Sequence, residues 1–252
     1  VTPDGIIHTI AGGGPGPGIG DGGLATQARL WGVSSVALAP DGSLYIADSG
    51  NGRIRRVSTD GIISTVAGGN PYSSSAGSAD NIPASQAYVS EPQHVEVAPD
   101  GSVYIAHNNR VSKIGADGII HRVVSTGEVG FSGDGGPARL AKLNGNNGMV
   151  FGPDGSLYIA DTWNHRIRKV TPDGNIQTLA GTGVQGFAGD GESPAKARFS
   201  VPSDLALTPD GNLYIADTWN ERIRLMSVTT ARFNPDAALV PATGGSQLYY
   251  FD

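Results

Sequence analysis

The sequence predicts an all-β fold, a β-propeller of four-stranded antiparallel blades. Three observations predict it: a segment that recurs at near-constant spacing, short apolar runs divided by Asp-Gly turns, and a wealth of turn-forming residues. The recurrence carries most weight, because self-similarity at a fixed period is the mark of a repeat architecture. Val36 to Asp48 returns as Val95 to His107, as Met149 to Asp161 and as Leu205 to Asp217. The prolines Pro40, Pro99, Pro153 and Pro209 give spacings of 59, 54 and 56 residues.

Each unit offers four runs rich in Val, Ile, Leu, Tyr and Thr. The first ends at an Asp-Gly pair (Asp41-Gly42, Asp100-Gly101, Asp154-Gly155, Asp210-Gly211), which supplies the conformations that tight hairpins require. The second contains Tyr-Ile-Ala, as in Leu157 to Ala160, and is nearly continuous in hydrophobicity. A strand covered on both faces reads that way. The third carries arginine: Arg53 to Val57, Arg110 to Ile114, Arg166 to Val170, Arg222 to Met226. A second turn, such as Thr171 to Gly174, leads to the fourth run, Asn175 to Ala180. One such sheet cannot dry both its faces, so the repeats must stack around an axis.

The expected propeller occupies residues 1–228. Its blade units are about 31–69, 91–127, 144–181, and a composite of 1–12 with 201–228. Val1 to Gly12 matches Val170 to Gly181, a fourth strand without its first three, so it is expected to close the ring beside Arg222 to Val228. Residues 229–252 form a C-terminal extension that either begins a further blade or links to another domain. The opening residues, neither basic nor followed by an apolar core, look like a cut made inside a repeat.

Composition narrows the function classes. Thirty-eight glycines and sixteen prolines fit many turns, while 38% apolar residues and a net charge of −6 argue against disorder. No cysteine is present, which excludes disulfides and thiolate metal sites. Seventeen scattered Lys and Arg residues in an acidic chain argue against a nucleic-acid partner. No apolar run is long enough for membrane insertion. No cofactor is implied.

The motif Asp161-Thr162-Trp163-Asn164-His165-Arg166-Ile167, with copies at Asp217 to Ile223 and Asp48 to Ile54, resembles the NHL repeat. In the second unit, His107-Asn108-Asn109-Arg110-Val111 is two residues shorter. A second signature lies between repeats: Gly130 to Ala138, Gly186 to Gly191 and, more loosely, Gly20 to Ala25. Together with the closing Leu248 to Asp252 run, these look like the NHL propeller of large bacterial teneurin-like proteins with Rhs/YD repeats. That resemblance implies a binding or scaffold domain of an exported, extracellular or cell-surface protein. It also implies a structural role for the motif's Asp and Arg, with Asp161 and Arg166 in a charge-assisted bond.

Hairpin logic places the Trp-containing hairpins and the long inter-blade inserts at one end of every blade, opposite the Asp-Gly turns. Function gathers on long, variable loops, so this end is the candidate binding face for a protein, an adjoining domain or a glycan. Trp163 and Trp219 sit at turn positions where the turn itself needs no aromatic, which suits binding anchors; the competing reading makes them lids over the inserts. His165 lies beside them. The residue five before each repeat proline should face the central channel: Ser35, His94, Gly148 and Asp204, with Gln93, Asn146 and Asn147 nearby. The NHL family favours glycine there, so His94 and Asp204 are departures. They define an alternative catalytic reading, since propeller lyases and lactonases of related families use this channel for metals or for acid and base groups. An RNA-binding propeller is a third reading, opposed by the acidic composition.

Gly181 to Gly186 spells G-x-G-x-x-G after a strand, yet more glycine-rich loop follows instead of a helix, so dinucleotide binding is not expected. Asp21, Asp134 and Asp190 in the inserts lack a calcium-loop pattern and read as turn or capping residues. Pro137 to Leu143 and Pro194 to Phe199 are each expected to form one short helical turn.

Overall fold

The computed structural model describes residues 5–15, 19–68 and 80–227. Four antiparallel sheets stack as propeller blades, and among the described residues the only helices are single 3₁₀ turns. Blade 1 comprises β1 (Val33–Leu38), β2 (Leu44–Asp48), β3 (Arg53–Val57) and β4 (Ile63–Ala67). In blade 2 a short edge strand β5 (Ile82–Pro83) precedes β6 (His94–Val97), β7 (Val103–His107), β8 (Arg110–Ile114) and β9 (Ile119–Val124). Blade 3 repeats this with β10 (Gly136–Pro137), β11 (Asn146–Phe151), β12 (Leu157–Asp161), β13 (Arg166–Val170) and β14 (Asn175–Ala180). Blade 4 contributes β15 (Pro202–Leu207), β16 (Asn212–Asp217) and β17 (Arg222–Ser227).

The Asp-Gly turns work as their chemistry requires. Gly42, Gly101, Gly155 and Gly211 all have φ between 76° and 87°, where a Cβ would be strained. The aspartate ahead of three of them accepts the backbone N–H two residues on: Asp41 from Ser43 at 2.9 Å, Asp100 from Ser102 at 2.9 Å and Asp154 from Ser156 at 3.0 Å.

Every residue of β12 is buried, because blade 3 has a neighbour on each side. One apolar cluster joins blades 1 and 2 through Ile54, Val95 and Ile105; a second joins blades 2 and 3 through Val111, Met149 and Ile159. A third joins blades 3 and 4 through Tyr158, Ile167 and Leu205. Fully burying one such aliphatic side chain contributes about 2 kcal/mol. The end blades differ. Val33, Val36 and Leu38 of β1 and Ile223 of β17 remain exposed.

The inserts wedge between blades. Ala84 and Ala87 sit in the first interface, Ala138 and Ala141 in the second, Ala197 and Phe199 in the third. Each insert is tied to the end of the preceding fourth strand by a backbone bond: Gly68 to Ala84 at 3.3 Å, Ser125 to Ala138 at 2.8 Å, Gly181 to Pro194 at 3.0 Å. The expected helical turns are present as 3₁₀ turns, Ala138–Leu140 and Pro194–Lys196, without a side-chain cap.

Gly12 donates to Ala25 at 2.9 Å in the same manner, so it occupies the place where fourth strands end. Residues 5–12 nevertheless form no assigned strand, and β17 pairs with β16 alone among the described strands. The expected ring closure is therefore not among the described pairings. Residues 1–4, 69–79 and the extension from residue 228 onward lie outside the described residues.

Candidate functional site

Hairpins and inserts do lie at one end. Asn164 Nδ2 donates to the insert carbonyl of Gly130 at 2.7 Å, and Asn220 to that of Gly186 at 2.8 Å. Beneath each Trp hairpin sits a buried ion network. Asp161 accepts from Asn144 N–H at 2.9 Å, from Asn164 at 2.8 Å and from Arg168 at 3.1 Å. Arg168 reaches on to Asp134 of the insert at 2.7 Å. Blade 1 repeats the network with Asp48, Arg55 and Asp21; blade 4 repeats it with Asp217, Arg224 and Asp190. A buried charge needs several such partners. This corrects two expectations from sequence. The partner of Asp161 is Arg168, two residues beyond Arg166, and the insert aspartates, which sit in turns as expected, serve as ion-pair anchors and not as helix caps. Arg166 stacks on Phe131, with 3.8 Å between guanidinium carbon and ring centroid, and donates to the carbonyls of Asn164 and Thr182.

Blade 2 departs at two of these three positions. His107 replaces the aspartate and Ser112 the arginine, joined by a 2.9 Å Nε2–Oγ hydrogen bond, both fully buried. Burial, with Arg110 adding repulsion, pushes the His107 imidazole down to about 3, so it is neutral, and its Nδ1 has no hydrogen-bond partner among the described residues. The insert keeps its aspartate, Asp80, which accepts the Arg122 N–H at 2.9 Å. Where the Thr65 and Thr178 hydroxyls of blades 1 and 3 donate to the insert aspartate, blade 2 offers the backbone N–H of Arg122. The shortened hairpin turns on Asn108 and Asn109 at φ 47° and 56°, a pair of left-handed positions that asparagine tolerates.

Three tryptophans mark this end. Trp163 is 48% exposed and Trp219 58%, and their rings meet edge to face at 5.4 Å. Trp31 of the first insert, 67% exposed, packs over Gly50, the position that holds tryptophan in blades 3 and 4. In blade 3 the insert has Asn144 in place of Trp31, and the hairpin tryptophan Trp163 packs over Gly145. The aromatics are therefore neither buried lids nor free-standing. His165, left-handed at φ 53°, accepts the Val201 N–H on Nδ1 at 3.2 Å and ties its hairpin to the next insert.

Blade 2 has no such tryptophan, and a polar cleft of about 370 Å³ opens between its hairpin and Trp163. Gln93, Asn108, Asn109, Asn146 and Asn147 line it. Asn146 is buried and donates to the Arg110 carbonyl at 2.8 Å, while Asn109 accepts the Gly145 N–H at 2.8 Å.

The channel mouth, about 440 Å³, is lined from all four inner strands, by Ser35, His94, Asn147 and Asp204 among others. Sequence thus brought His94 and Asp204 together correctly but missed Glu96. The His94 Nε2 lies 4.0 Å from the Glu96 carboxylate. Burial lowers the His94 imidazole below its ordinary range, against the pull of Asp204 and a bond at Met149. Burial raises Glu96 to about 7, the Phe151 backbone opposing and Asp204 adding to the rise. Glu96 occupies a position that holds Ala37, Val150 and Ala206 in the other blades, and a charge at an apolar repeat position was the available signal. Among the described residues, no group of three His, Cys, Asp or Glu side chains could hold a metal ion.

Four-stranded blades, inserts wedged between them and a recurring Asp-Trp-Asn hairpin define a class, the repeat propellers that carry their variable loops at one end. Family models agree: one described as the teneurin NHL domain matches residues 18–58 and 165–227, and one described as the NHL repeat matches residues 147–170. Teneurin-3 of Danio rerio is 33% identical over 263 residues, covering 92% of this chain. The chain spans only 9% of that relative's length. Among solved structures, a Bacteroides thetaiotaomicron protein of unknown function is similar with a TM-score of 0.61 and 24% identity, over 77% of this chain and 47% of that one. A streptogramin B lyase gives 0.53 and 15%, over 78% and 52%. At such identities the structures establish the fold alone. The chain belongs to the NHL-repeat β-propellers and is similar to the teneurin NHL domain.

Proposed function

We propose that the chain is a non-enzymatic recognition module, engaging a partner through the hairpin-and-insert end of the propeller. The carrying observation is the exposed tryptophan surface there: Trp163, Trp219 and Trp31 stay open to solvent on a rigid frame of buried ion pairs. Large rigid aromatics lose little entropy on binding and serve as anchors. Similarity to teneurins supports a protein partner and a cell-surface setting within a larger polypeptide; a bacterial parent with YD repeats accords with the insert signatures. No helix among the described residues is long and apolar enough to cross a membrane.

An acid–base site in the channel is the second reading, favoured by the closeness of His94 and Glu96. Asp204 is exposed, however, and among the described residues these side chains form no group of three that could hold a metal ion. One experiment separates the two. The chain and its Trp163→Ala/Trp219→Ala and His94→Ala variants are screened against a fixed set of purified extracellular domains and for lyase and lactonase turnover. The recognition reading expects binding that falls at least tenfold in the tryptophan variant and persists in His94→Ala. Turnover abolished by His94→Ala would replace it with the enzymatic reading.

A further inference from the structure

We infer that the cleft between the blade 2 hairpin and Trp163 is a subsite for a neutral carbohydrate, resting on the reading of the hairpin end as a recognition face. The cleft exists because of a deletion. Blades 3 and 4 fill this place with a Trp-Asn hairpin braced by an Asp–Arg pair, whereas blade 2 loses two residues and exchanges the pair for His107 and Ser112. What remains is a volume of about 370 Å³, within the range of small-ligand sites.

Its chemistry is selective. Gln93, Asn108 and Asn147 present carboxamides, each able to donate and accept at once. The Asn108 and Asn147 side chains make no hydrogen bond within the described residues, while Asn109 and Asn146 are committed to the backbone and hold the wall in place. Paired hydroxyls of a sugar match a carboxamide's adjacent donor and acceptor. On the opposite side, Trp163 offers an indole against which the apolar C–H face of a pyranose can stack. The indole is positioned by Gly145, where a Cβ would lie 2.4 Å from the ring, and by Trp219 packed edge-on. Charge argues against anionic ligands. Among the lining residues Glu91 is the one ionisable group, with no lysine or arginine, so a phosphate or carboxylate ligand would find no counter-charge and a repelling neighbour.

Calorimetric titration with maltotriose, cellotriose and N,N′-diacetylchitobiose tests this, each at concentrations up to about 10 mM to reach weak affinities. The expected result is saturable binding of at least one, weakened at least tenfold by Asn108→Ala/Asn147→Ala and by Trp163→Ala, and unchanged within twofold by Asp60→Asn, in the turn between β3 and β4 at the opposite end. Circular dichroism confirms that each variant is folded. Absence of saturable binding to all three, or binding indifferent to the asparagine pair, overturns the inference. So does preferential binding of a neutral glycine-serine tetrapeptide. Because the extracellular-domain screen reads the Trp163–Trp219 surface separately, its success alongside a sugar failure leaves the recognition reading intact and removes only the subsite.

Discussion

Blades 2 and 3 are built on one sequence pattern yet solve the same problem with opposite chemistry. Blade 3 fastens its hairpin to its insert with permanent charges, Asp161, Arg168 and Asp134, and covers the junction with Trp163 and Phe131. Blade 2 uses a neutral imidazole and a serine, holds its insert aspartate by a backbone N–H of the fourth strand, and leaves a cleft where the tryptophan would be. The difference teaches that a repeat propeller can open a site by local deletion, provided that the charges beneath the deleted hairpin are removed with it. A buried Asp without its Arg would be far costlier than a buried neutral His.

The largest expected effect tests that statement directly. Arg168→Met strands Asp161 and should cost about 3–5 kcal/mol in urea unfolding. Ser112→Ala in blade 2 takes away the hydrogen bond of the neutral His107 ring at Nε2 and should cost about 1–3 kcal/mol. Equal losses would break the comparison.

The pH dependence comes next. His107 is depressed from an ordinary 6.5 to about 3, so its contribution is present above pH 6.5 and lost as pH falls toward 3. Glu96 is raised from 4.5 to about 7; its contribution is present below pH 4.5 and lost as pH rises through 7, an effect of at most about 3 kcal/mol. Glu96→Gln should therefore flatten the decline in stability between pH 4.5 and 7, and His107→Gln the decline below pH 6.5. Chemical denaturation across pH reads both. A profile unchanged by either variant would place the pH sensitivity outside blade 2.

Two smaller effects sharpen blade 3. Gly145→Ala forces a side chain at φ +66° against the Trp163 ring, with an expected cost of about 1–3 kcal/mol and a change in tryptophan emission. Phe131→Leu removes the stacking of Arg166 and Arg168 and should cost about 0.5–1 kcal/mol. Blade 2 has no arginine stack among its described residues; Lys113 lies over the Tyr104 ring there, at 5.6 Å.

Much of this was legible in the sequence. The spacing of Pro40, Pro99, Pro153 and Pro209 gave the blades, and continuity of the Tyr-Ile-Ala runs gave two-sided burial. Hairpin parity put Trp163, Trp219 and the inserts at one end. Three features escaped for physical reasons. Arg166 lies nearer to Asp161 in sequence, but an arginine's length let Arg168 reach back along the sheet, and only coordinates distinguish the two. The insert aspartates do sit in turns, but their second role, as ion-pair anchors, was hidden because their arginine partners lie 34 residues away. The shortened hairpin at Asn108 and Asn109 was visible as a missing pair of residues; that Asn146 and Asn147 of the next blade would form the other wall depended on how the blades stack.

The hairpin end as the recognition surface is tested most directly by hydrogen exchange on the complex with a partner retained in the extracellular-domain screen. The account predicts slowed exchange at residues 90–93, 107–109, 144–147, 162–165 and 218–221, with the Asp-Gly turns near residues 41, 100, 154 and 210 unchanged. Protection confined to those turns, at the other end of every blade, would contradict it.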